Sequence, residues 1–228
     1  MSPSLLKLKS LNKPILREEV YTCIKEWILT GELAPGERIS IRSLLRDAGM
    51  SQTPIREALL KLEQEGLVSR LPQGRFIASR FSQKDFEEIF GIRGVLESYA
   101  VSLALNHMDE KTIALLETNV RESQRYLRKD NFPRISLLNT EFHDILNGLC
   151  KNQRLLNIIH DLRDHISQYR SAILRVKGSA RISIEHHMKM IEAIKKKDRD
   201  LVVKITGEHI LRGKEIVLAE IEKGNIRL

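Results

Sequence analysis

Residues 40–79 read SIRSLLRDAGMSQTPIREALLKLEQEGLVSRLPQGRFIAS, and this stretch decides the fold of the first part of the chain. Ser40 is a favourable N-cap, and apolar residues follow it at helical spacing until Gly49, which can end a helix in the left-handed conformation. Thr53 can cap a second helix with Pro54 at its first position, where no N–H is needed. The pattern predicts two helices separated by a tight turn.

The second helix is amphipathic and leads into a β-hairpin. Its apolar stripe has the spacing i, i+4 and i+7: Ile55, Leu59 and Leu62. Gly66 ends the helix, and the short extended runs 67–71 and 75–79 are joined by a Pro-Gln-Gly turn at 72–74. A polar-faced helix after a tight turn fits the major groove of DNA, with the hairpin as a wing. The alternative is a helical hairpin and a β-hairpin that only pack together.

The residues from Leu33 to Ile77 resemble the DNA-binding domain of the GntR family of bacterial transcription regulators. The resemblance is carried by three segments: GELAPGERI at 31–39, SQTPIREAL at 51–59 and LEQEGLV at 62–68. It implies that the residues that approach DNA are Arg42, Ser51, Gln52, Thr53, Arg56 and Gly74. Gln52 stands where the family often has arginine. Glutamine pairs with adenine whereas arginine prefers guanine, so the base preference at this position is expected to differ.

The bulk composition is typical of a helix-rich globular protein. The 228 residues carry a net charge of +8, as expected for a nucleic-acid-binding protein. No apolar run approaches the roughly 18 residues that a membrane span needs, so we expect no membrane partner. Cys23 and Cys150 are far apart in the sequence and form no CxxC motif. They indicate free thiols in a reducing, cytoplasmic environment.

Three parts are expected along the chain: a flexible arm at 1–14, a winged helix-turn-helix domain at 15–80, and an all-helical domain at 81–228. In the third part the apolar pattern has a helical period throughout. It predicts six helices: 83–107, 110–129, 132–149, 153–176, 179–196 and 199–223. Asp109 and Asp198 are expected to cap two of them. The predicted fold is therefore mainly α, with a winged helix-turn-helix followed by an all-α antiparallel helical bundle.

The helical part resembles the FCD ligand-binding domain of the FadR-type branch of GntR regulators, in its shorter, VanR-like version with six helices. The matching residues are Ile92-Arg93, Leu96-Glu97, Ala100, Glu141-Phe142-His143, Glu185-His186-His187, Ala193-Ile194, Asp198 and His209. The resemblance implies a cytoplasmic bacterial homodimer that binds a pseudo-palindromic operator in double-stranded DNA. It also implies a small-molecule effector, for which we expect an organic acid, and we expect the protein to be a repressor.

Four histidines are predicted to point into the bundle, because they share helix faces with buried-type neighbours: His143, His165, His187 and His209. His186 is predicted to point away from it. A buried imidazole needs a partner, since an unsatisfied polar group in a core is costly. Hydrogen bonds within the core are one interpretation. The other is that several of these histidines share a divalent ion or an anionic ligand.

The FCD resemblance implies a metal site. Many members hold a metal with an aspartate, a histidine four residues later and two further histidines, and the corresponding positions here are Asn139, His143, His187 and His209. Asn139 replaces the aspartate and offers only a neutral carbonyl oxygen. The expected cofactor is one divalent metal, Zn or Ni. The alternative is that the same pocket binds an anionic effector directly.

An arginine and a glutamate lie on an apolar face of the first helix of the bundle. Arg93 and Glu97 are at i, i+4 and share a stripe with aromatic and alanine residues. Such a pair is either a buried structural salt bridge or part of a ligand site. In a ligand site, Arg93 would meet a carboxylate bidentately. The predicted effector-binding residues are Arg93, Glu97 and His165.

Two other functions would account for parts of the sequence. A three-histidine helical metalloenzyme with a DNA-binding appendage needs a general base, but Glu141 is two residues from both Asn139 and His143 and faces away from them. An architectural DNA-binding protein with a purely structural bundle has little use for four buried histidines. We therefore predict a regulator that is not an enzyme.

Overall fold

A computed structural model describes residues 16–48 and 51–225, and the chain divides into two compact units. The first unit holds the described residues up to Ser82 together with Asp164–Gln168, and the second holds Gln83–Arg163 and the residues from Tyr169 onward. The elements in chain order are α1 (Leu16–Thr30), β1 (Arg38–Ile39), α2 (Ile41–Ala48), α3 (Gln52–Gln64), β2 (Val68–Arg70), β3 (Phe76–Ala78), α4 (Gln83–Ala104), a 3-10 turn (Leu105–His107), α5 (Glu110–Leu127), α6 (Phe132–Gly148), α7 (Gln153–Arg175), α8 (Ser179–Lys195) and α9 (Arg199–Glu222). The predicted mainly α fold is confirmed. The arm predicted at 1–14 lies outside the described residues.

The core of the first unit forms where α1 packs against α3. Each helix contributes a stripe of buried apolar side chains: Val20, Ile24 and Ile28 from α1, and Ile55, Leu59 and Leu62 from α3. The predicted α3 stripe is fully buried, so the opposite face of that helix is free to carry polar residues. A Leu→Ala change at such a site typically costs about 2–5 kcal/mol.

A three-stranded sheet with the order β1-β3-β2 closes the first unit. The β2–β3 hairpin is antiparallel, with Val68 opposite Ala78 and Arg70 opposite Phe76. Gly74 in the connecting turn has φ +72°, a conformation that an L-residue side chain strains. The turn is closed by a 2.8 Å hydrogen bond that the Leu71 amide donates to the Arg75 carbonyl. The predicted wing is present, and its strands are shorter than predicted by one residue at each end.

Two local details differ from the sequence prediction. Helix α3 begins at Gln52 with Ser51 as its N-cap, instead of beginning after Thr53. Pro54 is tolerated there because the first four N–H groups of a helix have no partner within the helix. Strand β1 was not expected. It is two residues long and depends on pairing with the distant β3, which local patterns do not reveal. The stop predicted at Gly49 lies outside the described residues.

The second unit is a bundle of α4 to α9 within the described range. Helix α4 packs along α9, α5 packs against α6 and α8, and α8 packs against α9. The two predicted caps are confirmed: Asp109 accepts a 2.7 Å hydrogen bond from the Thr112 amide, and Asp198 accepts one of 3.1 Å from the Leu201 amide. These caps fix where α5 and α9 begin, and hence how their inner faces are oriented.

None of the described helices combines the length and the apolar character needed to cross a membrane.

Candidate functional site

The polar face of α3 and the wing form a candidate DNA-binding surface in the first unit. All six residues predicted to approach DNA are exposed: Arg42, Ser51, Gln52, Thr53, Arg56 and Gly74. The side chain of Ser51 makes no capping hydrogen bond, which leaves the first amides of α3 available to an anion. A helix N-terminus attracts phosphate through these amides and the helix dipole. Arg75, which sequence reasoning did not select, is also exposed beside the tip of the wing.

The second candidate site is a cluster of three histidines in the bundle. His143 comes from α6, His187 from α8 and His209 from α9, and one ring nitrogen of each lies within 4.8 Å of the others. The Nε2 atoms of His143 and His209 are 3.0 Å apart. The structure thus brings together the three histidines that the sequence assigned to a shared metal.

The environment keeps these imidazoles neutral. Burial lowers the pKa of His143, and it lowers the pKa values of His187 and His209 further, with added repulsion from neighbouring histidines. A neutral imidazole has a lone pair to give to a metal. Within the described part of the chain, the buried Nε2 of His187 has no hydrogen-bond partner. An orphaned buried nitrogen beside two others fits a divalent ion.

A buried carboxylate supports the cluster from α4. Glu97 is completely buried, and its Oε2 lies 3.3 Å from Nδ1 of His143. Its Oε1 accepts hydrogen bonds from Arg93 at 2.8 Å from Nε and 2.6 Å from Nη2. The positive charge of Arg93 and the contact with His143 hold the pKa of Glu97 well below its usual range despite burial. A carboxylate behind a histidine fixes the orientation of the ring and raises its basicity as a ligand.

Asn139 lies one helical turn before His143 on α6. Its Oδ1 accepts a 3.1 Å hydrogen bond from the hydroxyl of Ser183, which in turn lies one turn before His187 on α8. Asn139 and Ser183 therefore form a polar layer next to the histidines. To ligate a metal, the amide oxygen would have to share or give up this hydrogen bond, which weakens it further as a fourth ligand.

Two other histidines differ from the sequence prediction. His186 was predicted to point away, but it is half-buried and its ring centroid is 5.8 Å from that of His209. It lies at the border of the inner face of α8, where α9 covers it. His165 was predicted to join the effector site. The structure does not bring it to the cluster: its Nε2 lies 2.7 Å from the carbonyl oxygen of Glu65 within the first unit.

Sequence reasoning also missed two polar residues of α7. Arg163 is buried and donates to Asp144 at 2.6 Å, and Arg170 donates to Thr140. Their separation of seven residues, which puts both on one helix face, was the available signal. Long polar residues at that spacing are usually solvated, so the signal is weak.

Comparison with known proteins identifies both domains of the chain. Residues 16–77 match the profile "Bacterial regulatory proteins, gntR family", and residues 88–212 match the FCD domain. The chain is 32% identical to the uncharacterized HTH-type transcriptional regulator YdhC of Bacillus subtilis over 80% of this chain and 82% of that protein.

This chain belongs to the GntR family.

Its two domains place it in the FadR-type branch of that family. The HTH-type transcriptional repressor RspR of Escherichia coli is 21% identical over 86% of each chain. The solved structure of E. coli McbR/YncC superposes with a TM-score of 0.78 at 25% identity, covering 90% of this chain and 98% of that one. This member of the GntR family is thus a DNA-binding transcriptional regulator with an effector-binding domain. Its relatives are regulators and not enzymes, which excludes the metalloenzyme hypothesis.

Proposed function

We propose that the chain is a homodimeric bacterial repressor of the cytoplasm, released from a pseudo-palindromic operator when an organic acid binds its helical domain. The observation that carries this proposal is the buried cluster of His143, His187 and His209 beside the Arg93–Glu97 pair. A bundle that only dimerises gains nothing from burying so many polar groups, because each must recover its lost hydration. Ligand binding explains their presence.

The operator contacts are proposed to come from the N-terminal half of α3 and from the wing. Backbone amides and Ser51 would hold phosphates, while Gln52 and Arg56 would reach base edges in the major groove. Arg42 and the tip at Gly74 would contact the flanking backbone. The exposure of all these residues supports the assignment.

One divalent ion is proposed in the helical domain, with Zn or Ni as the best match to imidazole donors. His143, His187 and His209 would hold it, and Asn139 would contribute weakly. When bound, the metal supplies a positive centre with Lewis acidity to which an acid group can coordinate. Glu97 lies 3.3 Å from Nδ1 of His143, on the side of the ring away from the Nε2 that contacts His209, and would orient the ring toward the metal.

The homodimer is proposed to form through α4. This helix exposes an uncharged apolar stripe at i, i+3 and i+7, in which Ile92 is 50%, Val95 70% and Tyr99 53% exposed. Apolar side chains this exposed and this regular are typical of an interface. A twofold dimer would present two copies of α3 to the two half-sites of an operator. The repressor assignment draws on the printed name of RspR.

The test of operator binding begins by selecting DNA from a random duplex library with the purified protein. Fluorescence anisotropy with the selected duplex should then show that Arg56→Ala weakens binding by about 5- to 150-fold, the value of one base contact. Gln64→Ala, on the exposed far end of the same helix, should bind like the unmodified protein. Equal affinity of the Arg56 variant would refute the placement of the recognition helix.

The metal is tested by elemental mass spectrometry of untagged protein. We expect about one Zn or Ni ion per chain, and its loss in His187→Ala because the remaining ligands leave an incomplete site. His160→Ala is the matched control, since His160 is 48% exposed on α7. A protein that takes up no metal after incubation with either ion would refute the metal and leave direct anion binding as the mechanism.

A further inference from the structure

Three arginines of the second unit pair with groups on or next to α6, the helix that carries His143. Arg93 pairs with Glu97 at 2.6 Å on α4, and Arg163 on α7 donates to Asp144 at 2.6 Å. Arg170, two turns after Arg163, donates to the hydroxyl of Thr140, and no carboxylate of the described part of the chain forms an ion pair with it. Thr140 and Asp144, the partners of Arg170 and Arg163, lie one turn apart on α6 and follow directly after Asn139 and His143, so both arginines reach the stretch of α6 that carries His143.

The charges of this layer do not balance. Among the described residues, the partners of these three guanidinium groups include two carboxylates, and one of these, Asp144, is 45% exposed and therefore compensates weakly. Burial, together with repulsion from Arg93 and Arg163, lowers the pKa of Arg170 to about 9. Imidazole rings carry no negative charge, so the neighbouring histidines add no counter-charge. The layer thus retains a net positive charge around the buried Arg93 and Arg163, which is costly unless an anion joins it.

Unused hydrogen-bond donors lie in the same layer. Arg163 is only 7% exposed, yet its Nε and Nη1 atoms have no hydrogen-bond partner among the described residues. Buried donors without a partner are rare in native proteins, and a missing ion or ligand is a standard explanation. Guanidinium donors match the planar geometry of a carboxylate. The unbalanced charge and the orphaned donors therefore point to the same kind of ligand.

We propose that Arg163 and Arg170 form an anion subsite that takes one carboxylate of the effector, while a second carboxylate meets the metal held by the histidines. The effector is therefore a dicarboxylate. This inference rests on the proposed function, because it specifies the ligand of the same domain. A metal with neutral ligands and a layer with one excess positive charge each attract an anionic group, and one carboxylate cannot neutralise both.

The first experiment uses the unmodified full-length protein with one equivalent of Zn²⁺ in isothermal titration. The probes are straight-chain dicarboxylates of three to six carbons, and for each length the monocarboxylate and the neutral diamide. We expect the best dicarboxylate to bind at least about tenfold more tightly than its monocarboxylate, and the diamide not to bind. This follows from the value of one charge-assisted hydrogen-bonded contact. Equal binding of the mono- and dicarboxylate at every length, or no binding by any acid, would overturn the inference.

The second experiment assigns the subsite to α7. Arg163→Met should weaken dicarboxylate binding by about tenfold or more and bring it close to monocarboxylate binding. The half-exposed Asp144 that it leaves behind can be hydrated, so the fold should persist, and a melting curve checks this. Arg154→Met is the control, since Arg154 is exposed in the first turn of α7. Unchanged binding by the Arg163 variant would refute the subsite. If that variant unfolds, the comparison of acids on the unmodified protein still decides the inference.

Failure of this inference can be told apart from failure of the proposed function. The same protein samples are titrated with the selected operator duplex with and without each acid. If monocarboxylates release the duplex as well as dicarboxylates do, the proposed effector-controlled repressor is supported and the proposed dicarboxylate subsite is refuted. If no duplex is bound at all, the proposed repressor fails, whatever the acids do.

Discussion

Removing the negative charge of Glu97 should destabilise the second unit strongly. The carboxylate is completely buried and accepts hydrogen bonds from two nitrogens of Arg93, whose side chain is 7% exposed. Glu97→Gln keeps the shape of the side chain but leaves the guanidinium charge of Arg93 buried without its counter-ion. Because His143 faces the same carboxylate at 3.3 Å, it loses its orienting partner as well.

The magnitude follows from the burial of the pair. Breaking a buried ion pair by removing one partner costs about 3–5 kcal/mol, and for a chain of this size each kcal/mol lowers Tm by about 2–4 °C. We therefore expect Tm to fall by roughly 6–20 °C. The assay is thermal unfolding followed by far-UV circular dichroism, with a chelator present so that metal binding does not contribute.

The same helix supplies the control. Lys84 and Glu88 have the same i, i+4 spacing on α4, but their side chains are 81% and 58% exposed. Glu88→Gln should therefore change Tm by less than about 2 °C. The double variant Arg93→Leu/Glu97→Leu should recover much of the loss, since it removes both members of the pair and leaves neither of them buried alone. If Glu97→Gln costs no more than Glu88→Gln, or if the double variant is as unstable as the single one, the reasoning is wrong.

Three further outcomes are expected. Asn139→Asp should tighten Zn²⁺ binding by about tenfold or more in a competition with a fluorescent chelator, because a carboxylate replaces a neutral ligand; unchanged affinity would mean that residue 139 is not a ligand. If the chain forms the proposed dimer, Val95→Glu should be a monomer in size-exclusion chromatography with light scattering, whereas Leu137→Glu, 60% exposed on α6, should stay dimeric; a dimeric Val95 variant would move the interface away from α4. His187→Ala should lose its response to acids but still bind the selected duplex, and a variant that keeps the response would separate His187 from effector sensing.

The sequence predicted those features that depend on local periodicity. The stripe of Ile55, Leu59 and Leu62 was readable because a helix buries every third or fourth residue, and these three are fully buried. His143 and His187 were placed inward by the same rule, and both are buried. The spacing of residues along a helix shows which side of the helix each residue lies on. The buried sides of the helices in a bundle meet near the bundle axis, so inward residues from different helices come together there.

Features that depend on contacts between distant segments were not predictable in this way. Strand β1 exists only because β3 pairs with it. His165 shares a face with apolar residues, but its hydrogen bond goes to a backbone carbonyl that no pattern on its own helix reveals. The unused donors of Arg163 could not be anticipated either, because an orphaned atom is defined by what surrounds it in three dimensions.

Helix α4 carries the buried Arg93–Glu97 pair, which is proposed to face the ligand, on one side and the proposed partner-facing stripe on the other within three turns. Arg93 and Glu97 are buried, while Ile92, Val95 and Tyr99 alternate with them toward the outside. A substitution on the buried side of α4 that displaces the helix also displaces the exposed stripe on its other side, because a packed helix moves as one body. Evolution of a new effector specificity would then be easier on α6 to α9 than on α4. In a family of such regulators, α4 would be the part that changes last.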